Sequence, residues 1–502
     1  MKHSENNIRL IFGLKLKQIR LDKNLSLSSL AKKASLSVSY LNEIENGKKY
    51  PKSNKIASLA EALDISYDKL VSLKLTKSLA PLSDLLESNI LEQLPLDHYG
   101  IDVHKLLLQI SQAPLQLSAL VATLIELAKS SEMSQNNFSR AAIRTYKELN
   151  DNYFQDLEDS VTKFCRKINF INSPPINYSV LNKILCEEFN YVISEEVIPN
   201  ETEFNTIRGI NIRNGKSNKL LLNNKLSDSQ KAFIVGKEIA YNYLSITDRS
   251  DIYSDLRLDS FDQLINNLRA SYFSTALLID KEIFRNDIAQ FLNKDKFDSN
   301  LLLSYLDKYN SSPEMLFQRI TNLLSKYFNI DSFFFHRFNS EFNSERFSLL
   351  KELRLNIPEE LGGYQTAEHY CRRWVSITSI KEVEKLQSKS DQFYTAIAEI
   401  QRSVFNDTKN EFISISLAKR STLLENSNYS VTLGFLVNDE IKNKIAFLND
   451  PGIKTKIVNN TCERCGVKDC YERIAKPLIL ENKMRLEKLS ENLQNIIEKA
   501  KS

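Results

Sequence analysis

Glycine is scarce in this chain. Only 11 glycines stand among 502 residues, and none completes G-x-x-x-x-G-K-[ST], G-x-G-x-x-G or G-x-S-x-G. A phosphate-binding loop, a dinucleotide fingerprint and a nucleophile elbow are therefore all unsupported. Proline is equally sparse at 11, and there is a single tryptophan. Five histidines (His3, His98, His104, His336, His369) serve the whole sequence, with no two at metal-site spacing. No apolar run approaches the length of a membrane span; the best, Ser118 to Leu127, is broken by Glu126. The start, MKHSENN, is polar and lacks the apolar stretch of a secretory signal. A cytoplasmic protein that does not touch membrane is expected, with its cysteines reduced. These absences point to a sensor rather than an enzyme, and no catalytic residue is assigned.

The remaining composition is that of a globular protein, 42% hydrophobic and 26% charged. The length exceeds one core and predicts several domains. The expected fold class is α+β, mostly helical, in four parts. These are a five-helix head at 1–75, a helical linker or dimerisation region at 76–172, an α+β domain at 173–325, and a C-terminal α+β domain at 326–502 with a cysteine motif. The net charge is +4, but residues 1–75 alone carry +7. A basic head on a nearly neutral body suits a polyanionic partner.

In the head, apolar residues recur at helical spacing: Leu14, Ile19 and Leu21, then Leu27, Leu30 and Ala31, then Leu36, Tyr40, Leu41 and Ile44. Ser26 can cap a second helix and Ser37 a third. Asn46-Gly47 supplies a left-handed stop, and Pro51 keeps the following loop out of helix. Ser53 opens a fourth helix. Short helices joined by short turns make a helix-turn-helix.

The stretch LKQIRLDKNLSLSSLAKKASLSVSYLNEIENGKKYP resembles the Cro/repressor-type DNA-binding domain throughout, with Ser35 where that family usually places Gly. The resemblance implies that the third helix enters the major groove of a double-stranded DNA operator. Ser37, Val38, Ser39 and Asn42 would then face base edges, with Tyr40 shared between core and backbone contact. Lys48, Lys49 and Lys52 would meet phosphates. The alternative is a helical adaptor that never touches DNA.

Long amphipathic helices are expected through HKLLLQISQAPLQLSALVATLIELAKSS and FSRAAIRTYKELNDNYFQDLEDSVTKF, with a break at Pro114. Such helices commonly dimerise, and a homodimer suits a two-fold operator. From 176 onward, short strands are expected at 191–193, 207–212 and 219–222, followed by the helix SDSQKAFIVGKEIAYNYL. This segment resembles zinc peptidases of the ImmA/IrrE type. That family carries H-E-x-x-H on this helix and a third ligand on the next. Here Lys237, Tyr241 and Asn267 stand at those positions and only Glu238 is retained. A protonated lysine cannot bind zinc, so the resemblance implies a scaffold without peptidase activity; a regulatory protease is the competing reading.

Further strands are expected at SFFFHRF, near 345–348, at 412–417 and at 430–437. Cys462, Cys465 and Cys470 then follow in C-x2-C-x4-C spacing, and the other C-terminal cysteine is Cys371 in HYCRRW. Four cysteines without histidine suit tetrahedral zinc or an iron–sulfur cluster. The unequal three-plus-one pattern favours a [4Fe–4S] cluster, with zinc and metal-free thiols as alternatives. Arg464, Lys468 and Arg473 would offset thiolate charge.

The whole order of segments resembles the short-chain fatty-acyl-responsive transcriptional regulators of bacteria. That resemblance implies acyl-CoA sensing and a cluster on Cys371, Cys462, Cys465 and Cys470. After the motif, Leu486, Leu489, Leu493, Ile496 and Ala500 follow heptad spacing, a helix that packs on the body or helps a dimer.

Overall fold

The structure is a computed structural model, and it describes residues 5–72, 135–196, 207–213, 218–254, 260–357, 368–390, 395–424 and 426–501. The helices expected between 76 and 134 lie outside the described residues. The fold is mixed α+β, as the sequence predicts, and the chain divides into two compact units, Met1–Ile143 and Arg144–Ser502. Among the described residues no helix is long and apolar enough to cross a membrane.

The head holds five helices: α1 (Glu5–Asp22), α2 (Leu27–Lys33), α3 (Val38–Glu45), α4 (Ser53–Ala62) and α5 (Tyr67–Val71). Its starts are where the sequence puts serines. Ser26 Oγ accepts from Ser29 N, Ser37 Oγ from Tyr40 N, and Ser66 Oγ from Lys69 N, each satisfying a donor that the first helical turn leaves open. The stops are left-handed residues, with Ser35 at φ 51° and Gly47 at φ 67°. The core gathers Phe12, Leu16, Leu30, Ala31, Leu41, Ile44, Leu59 and Leu63. Gly13 lets α1 lie against the end of α3, because a Cβ there would strike Ile44 O. Leu21, counted in the apolar repeat, is instead exposed at the end of α1.

The second unit begins with α6 (Gln135–Leu149), whose N-terminal turns fall before residue 144, and continues with α7 (Gln155–Lys167) and α8 (Tyr178–Phe189). A four-stranded sheet follows from β1 (Tyr191–Glu196), β2 (Gly209–Ile212), β3 (Asn218–Asn223) and β4 (Ile252–Tyr253), in the order β1-β3-β2-β4. Only β1 and β3 run parallel. There follow α9 (Asp228–Tyr243) and α10 (Phe261–Leu278), which pack on each other, then α11 (Lys281–Leu292), α12 (Ser299–Lys308) and α13 (Pro313–Phe328), of which α12 and α13 touch the C-terminal strands. Gly236 lets α9 meet α10 closely, since a Cβ would collide with Ser274 Oγ.

A six-stranded sheet forms the C-terminal part. It comprises β5 (Phe333–Glu341), β6 (Ser348–Leu355), β7 (Ile397–Phe405), β8 (Glu411–Arg420), β9 (Ser427–Leu436) and β10 (Thr455–Val458) in the order β10-β7-β8-β9-β5-β6. All pairs are antiparallel except β10 with β7. Alternation along β5 divides its aromatics. Phe333 and Phe335 join the main core, while Phe334 and Phe338 join a smaller one with Trp374 and Cys371 under α14 (Val375–Lys389). The main core runs without a break from Phe154 to Ile453, so the 173–325 and 326–502 segments share one interior. A short α15 (Asp439–Lys442) lies between β9 and β10, and after β10 come the cysteine loop and the final helix α16 (Leu478–Lys501).

Candidate nucleic-acid interface and cysteine site

Helix α3 is fixed from behind and open in front. Leu41 and Ile44 are buried, and Leu36 and Tyr40 pack on the same core. Ser37, Val38, Ser39 and Asn42 are exposed on one end of the helix, Tyr40 is half-buried, and Lys48, Lys49 and Lys52 are exposed beyond it. The eight sequence-assigned positions are thus gathered around α3 and the loop after it. Besides the Ser37 cap, two of the polar side chains have internal partners. Asn42 Oδ1 accepts from Asn46 Nδ2 at 3.0 Å. Lys49 Nζ stands 2.8 Å from Glu43 and over the Tyr40 ring, and the hydrogen bond to Glu43 raises its pKa. Meeting a phosphate would require Lys49 to exchange that carboxylate for it.

The cysteine site joins two distant pieces of chain. Cys371 N donates to Asn460 O at 3.0 Å and Cys462 N to His369 O at 2.9 Å, around a bridge between Tyr370 and Thr461. Side chains lock the same seam. Glu368 accepts from Arg464 Nε at 2.8 Å, Arg464 Nη2 at 2.7 Å and Thr461 Oγ1 at 2.7 Å. Glu463 takes His369 N at 3.0 Å and pairs with His369 Nδ1 at 2.7 Å. Arg473 donates to the carbonyls of Cys462, Cys465 and Val467, and so sets the curl of the loop.

Cys371, Cys462 and Cys465 are buried and Cys470 is half-buried, all as free thiols. Burial pushes the Cys371 thiol up to about 11, with the nearby Cys465 and Cys462 adding to the rise. In donor type and number the four sulfurs fit a thiolate-held centre. Cys371, Cys462 and Cys465 stand near one another, but among the described residues no three His, Cys, Asp or Glu side chains are gathered closely enough to hold a metal ion.

The helix-turn-helix family matches residues 16–70. Over 61 residues the chain is 41% identical to the control protein C.BamHI of Bacillus amyloliquefaciens, spanning 75% of that protein and 12% of this one. The chain belongs to the helix-turn-helix family. A solved structure of the restriction-modification controller protein C.AhdI from Aeromonas hydrophila is 35% identical, with 94% of it covered by 12% of this chain and a TM-score of 0.12. A Mycobacterium tuberculosis transcriptional regulator is 14% identical, with 93% of it covered by 67% of this chain and a TM-score of 0.46. The first domain is that of a Cro/C-type helix-turn-helix, DNA-binding transcriptional regulator.

In the second unit, the three positions that the zinc-peptidase resemblance aligns with metal ligands do meet. Lys237 Nζ donates to Asn267 Oδ1 at 2.5 Å, and Tyr241 OH to the same oxygen at 3.4 Å. Glu238 is fully buried and turned to other partners. It pairs with Arg249 Nη2 at 2.6 Å and accepts from Tyr191 OH at 2.6 Å and from Tyr253 OH. It is a buried structural carboxylate with its oxygens committed. Burial raises the pKa of Tyr241 and Tyr253, so both phenols stay protonated at neutral pH.

Two of the basic residues assigned to the cysteines have other tasks: Arg464 binds Glu368, and Arg473 binds carbonyls. Lys468 is exposed. The cation inside the site is Arg372, which is buried and favoured as a charge by Glu345, Cys462 and Cys371 although desolvation lowers its pKa overall. Its adjacency to Cys371 in sequence was the available signal.

Proposed function

We propose that this protein is a transcriptional regulator that reads an operator in double-stranded DNA as a homodimer. The N-terminal end of α3 enters the major groove, with Ser37, Val38, Ser39 and Asn42 at base edges and Tyr40 at the backbone. Lys48, Lys49 and Lys52 lie along phosphates. The observation that carries this reading is a Ser37-capped helix whose inner face is buried and whose exposed end is followed by three exposed lysines. The family match adds to it.

The C-terminal part is the sensing part. Cys371, Cys462, Cys465 and Cys470 would hold a [4Fe–4S] cluster or zinc; a cluster would supply redox sensitivity, zinc a structural clip. Arg372 is buried next to Cys371 in the chain, and Cys462 and Cys371 act to raise its pKa against desolvation. A response to an acyl-CoA rests on the sequence resemblance alone.

The deciding experiment is selection from random duplexes with the full-length protein, followed by titration at two salt concentrations. A two-fold symmetric sequence bound about a thousandfold more tightly than random DNA is expected. Recovery of no preferred sequence overturns the proposal. Iron, sulfide and zinc assays on protein purified without oxygen, beside Cys465→Ser, decide the second part: about four irons and four sulfides mark a cluster, and about one zinc marks a clip.

A further inference from the structure

Helix α16 grows out of the cysteine loop and stands apart from the core it leaves. Its root is packed: a Cβ on Gly466 would press on Leu480 Cδ2, so loop and helix touch there. Every residue from Glu481 to Lys499 is exposed. Among them, Leu486, Leu489, Leu493 and Ile496 are 62%, 52%, 59% and 63% exposed. Their 3-4-3 spacing makes one stripe at the 3.5-residue period of a two-stranded seam. A helix lying on its own body has no need of that period, whereas a helix paired with its own copy does.

Charge placement fits the pairing and gives its direction. Glu487, Lys488, Glu491 and Glu498 fall on the side away from the stripe. In a parallel pair, Arg485 faces Ser490 of the partner subunit and Asn492 faces Ile497 of the partner subunit, so no like charges meet. An antiparallel pair that opposes Leu486 to Ile496 of the partner subunit would bring Arg485 beside Lys499 of the partner subunit, which is repulsive.

We propose that α16 is a dimerisation stem that pairs in parallel with α16 of a second copy. Covering the stripe and the adjoining Ile497 on both helices removes roughly 1,000 Å² from water, the lower bound for a specific interface. The dimer is therefore expected to dissociate in the micromolar range. Because the stem is rooted on the loop that Arg473 shapes, any rearrangement of Cys462 and Cys465 is passed to the seam. This inference rests on the homodimer reading above and names its surface.

The test is sedimentation velocity of the full-length chain over a micromolar concentration series, without DNA. The variants are Leu489→Glu/Leu493→Glu on the stripe and Glu491→Lys on the outer side, with helix content checked by circular dichroism. All three positions are exposed, so folding of the body is not at stake. A reversible wild-type dimer, weakened at least tenfold by the stripe variant and unchanged by the outer one, is expected. A stripe variant that dimerises like the wild type overturns the stem while leaving the homodimer standing on another surface. A wild type that stays monomeric in solution but binds its operator as two copies also overturns the stem and spares the operator reading. Protection of α16 from hydrogen exchange in such a monomer would mean that the stripe is covered by its own chain.

Discussion

Arg20 and Glu45, 25 residues apart, meet fork to fork inside the head. Nε lies 2.6 Å from Oε1 and Nη2 lies 2.8 Å from Oε2, with both residues buried. Arg20 Nη1 also donates to Leu25 O, so one guanidinium ties α1 to the start of α2 and the end of α3. Removing one partner strands the other charge in a nearly dry place. Glu45→Ala is expected to destabilise the head by about 3 kcal/mol, and the double variant with Arg20→Ala by less than the sum of the two. Hydrogen exchange of head amides in the full chain measures both, and additive losses would show that the pair is not coupled.

The α3 surface separates specificity from affinity. Asn42→Ala should lose about 1–3 kcal/mol of discrimination at one operator position while leaving binding to other sequences nearly unchanged. Lys52→Ala should weaken every sequence alike and reduce the slope of log affinity against log salt by about 0.9. Titrations of operator and single-base variants at several salt concentrations distinguish the two. The same behaviour from both variants would mean that α3 is turned differently on the duplex.

Acid stability of the body should depend on Glu158. Burial acts to raise its pKa, but Arg319, with Nη1 at 2.5 Å and Nη2 at 3.1 Å, and Tyr272 OH at 2.8 Å outweigh it and hold the carboxyl below the ordinary value. A depressed carboxylate contributes stability that is complete above the unfolded value, about 4.3, and is lost as pH falls through the folded one. Glu158→Gln should therefore lower the melting temperature at pH 7 and flatten its fall below pH 5. An unchanged acid limb in the variant would assign the loss to other carboxylates.

The meeting of Lys237, Tyr241 and Asn267 can be checked by rebuilding ligands. Lys237→His/Tyr241→His/Asn267→Glu places two histidines at i and i+4 opposite a carboxylate, and about one zinc per chain is expected by metal analysis after dialysis. Hydrolysis of peptide substrates should stay absent, because Glu238 is held by Arg249, Tyr191 and Tyr253. Zinc uptake no higher than wild type would place the three side chains on diverging paths.

What the sequence reveals here is local. Capping serines, the Asn46-Gly47 stop and the apolar repeat are each written within a few residues, and they place α2 and α3 to the residue. β3 and β9 are legible in the same way, as apolar runs with turn signals at their ends. β7 escapes because Glu399, Gln401 and Arg402 interrupt its apolar pattern; Gln401 is buried by donating to Arg373 O and Ser403 Oγ. β10 is a four-residue edge strand with too little pattern to read. The ion pairs that matter most, Arg20 with Glu45 and Glu158 with Arg319, join residues 25 and 161 positions apart, and no local signal links them. The cysteines were visible as a set, and Arg372 was signalled by its adjacency to Cys371, while its burial needed the fold.

The uninterrupted core from Phe154 to Ile453 limits how this protein can be inherited. The head has a core of its own. The two sheets of the second unit share one, although the six-stranded sheet adds a smaller core under α14. The residues around Glu238 can change, but the segment that carries them cannot be discarded without exposing Phe333, Phe335 and Leu433 on the inner face of the six-stranded sheet. Retention of the Glu238 segment as packing is what such an interior enforces.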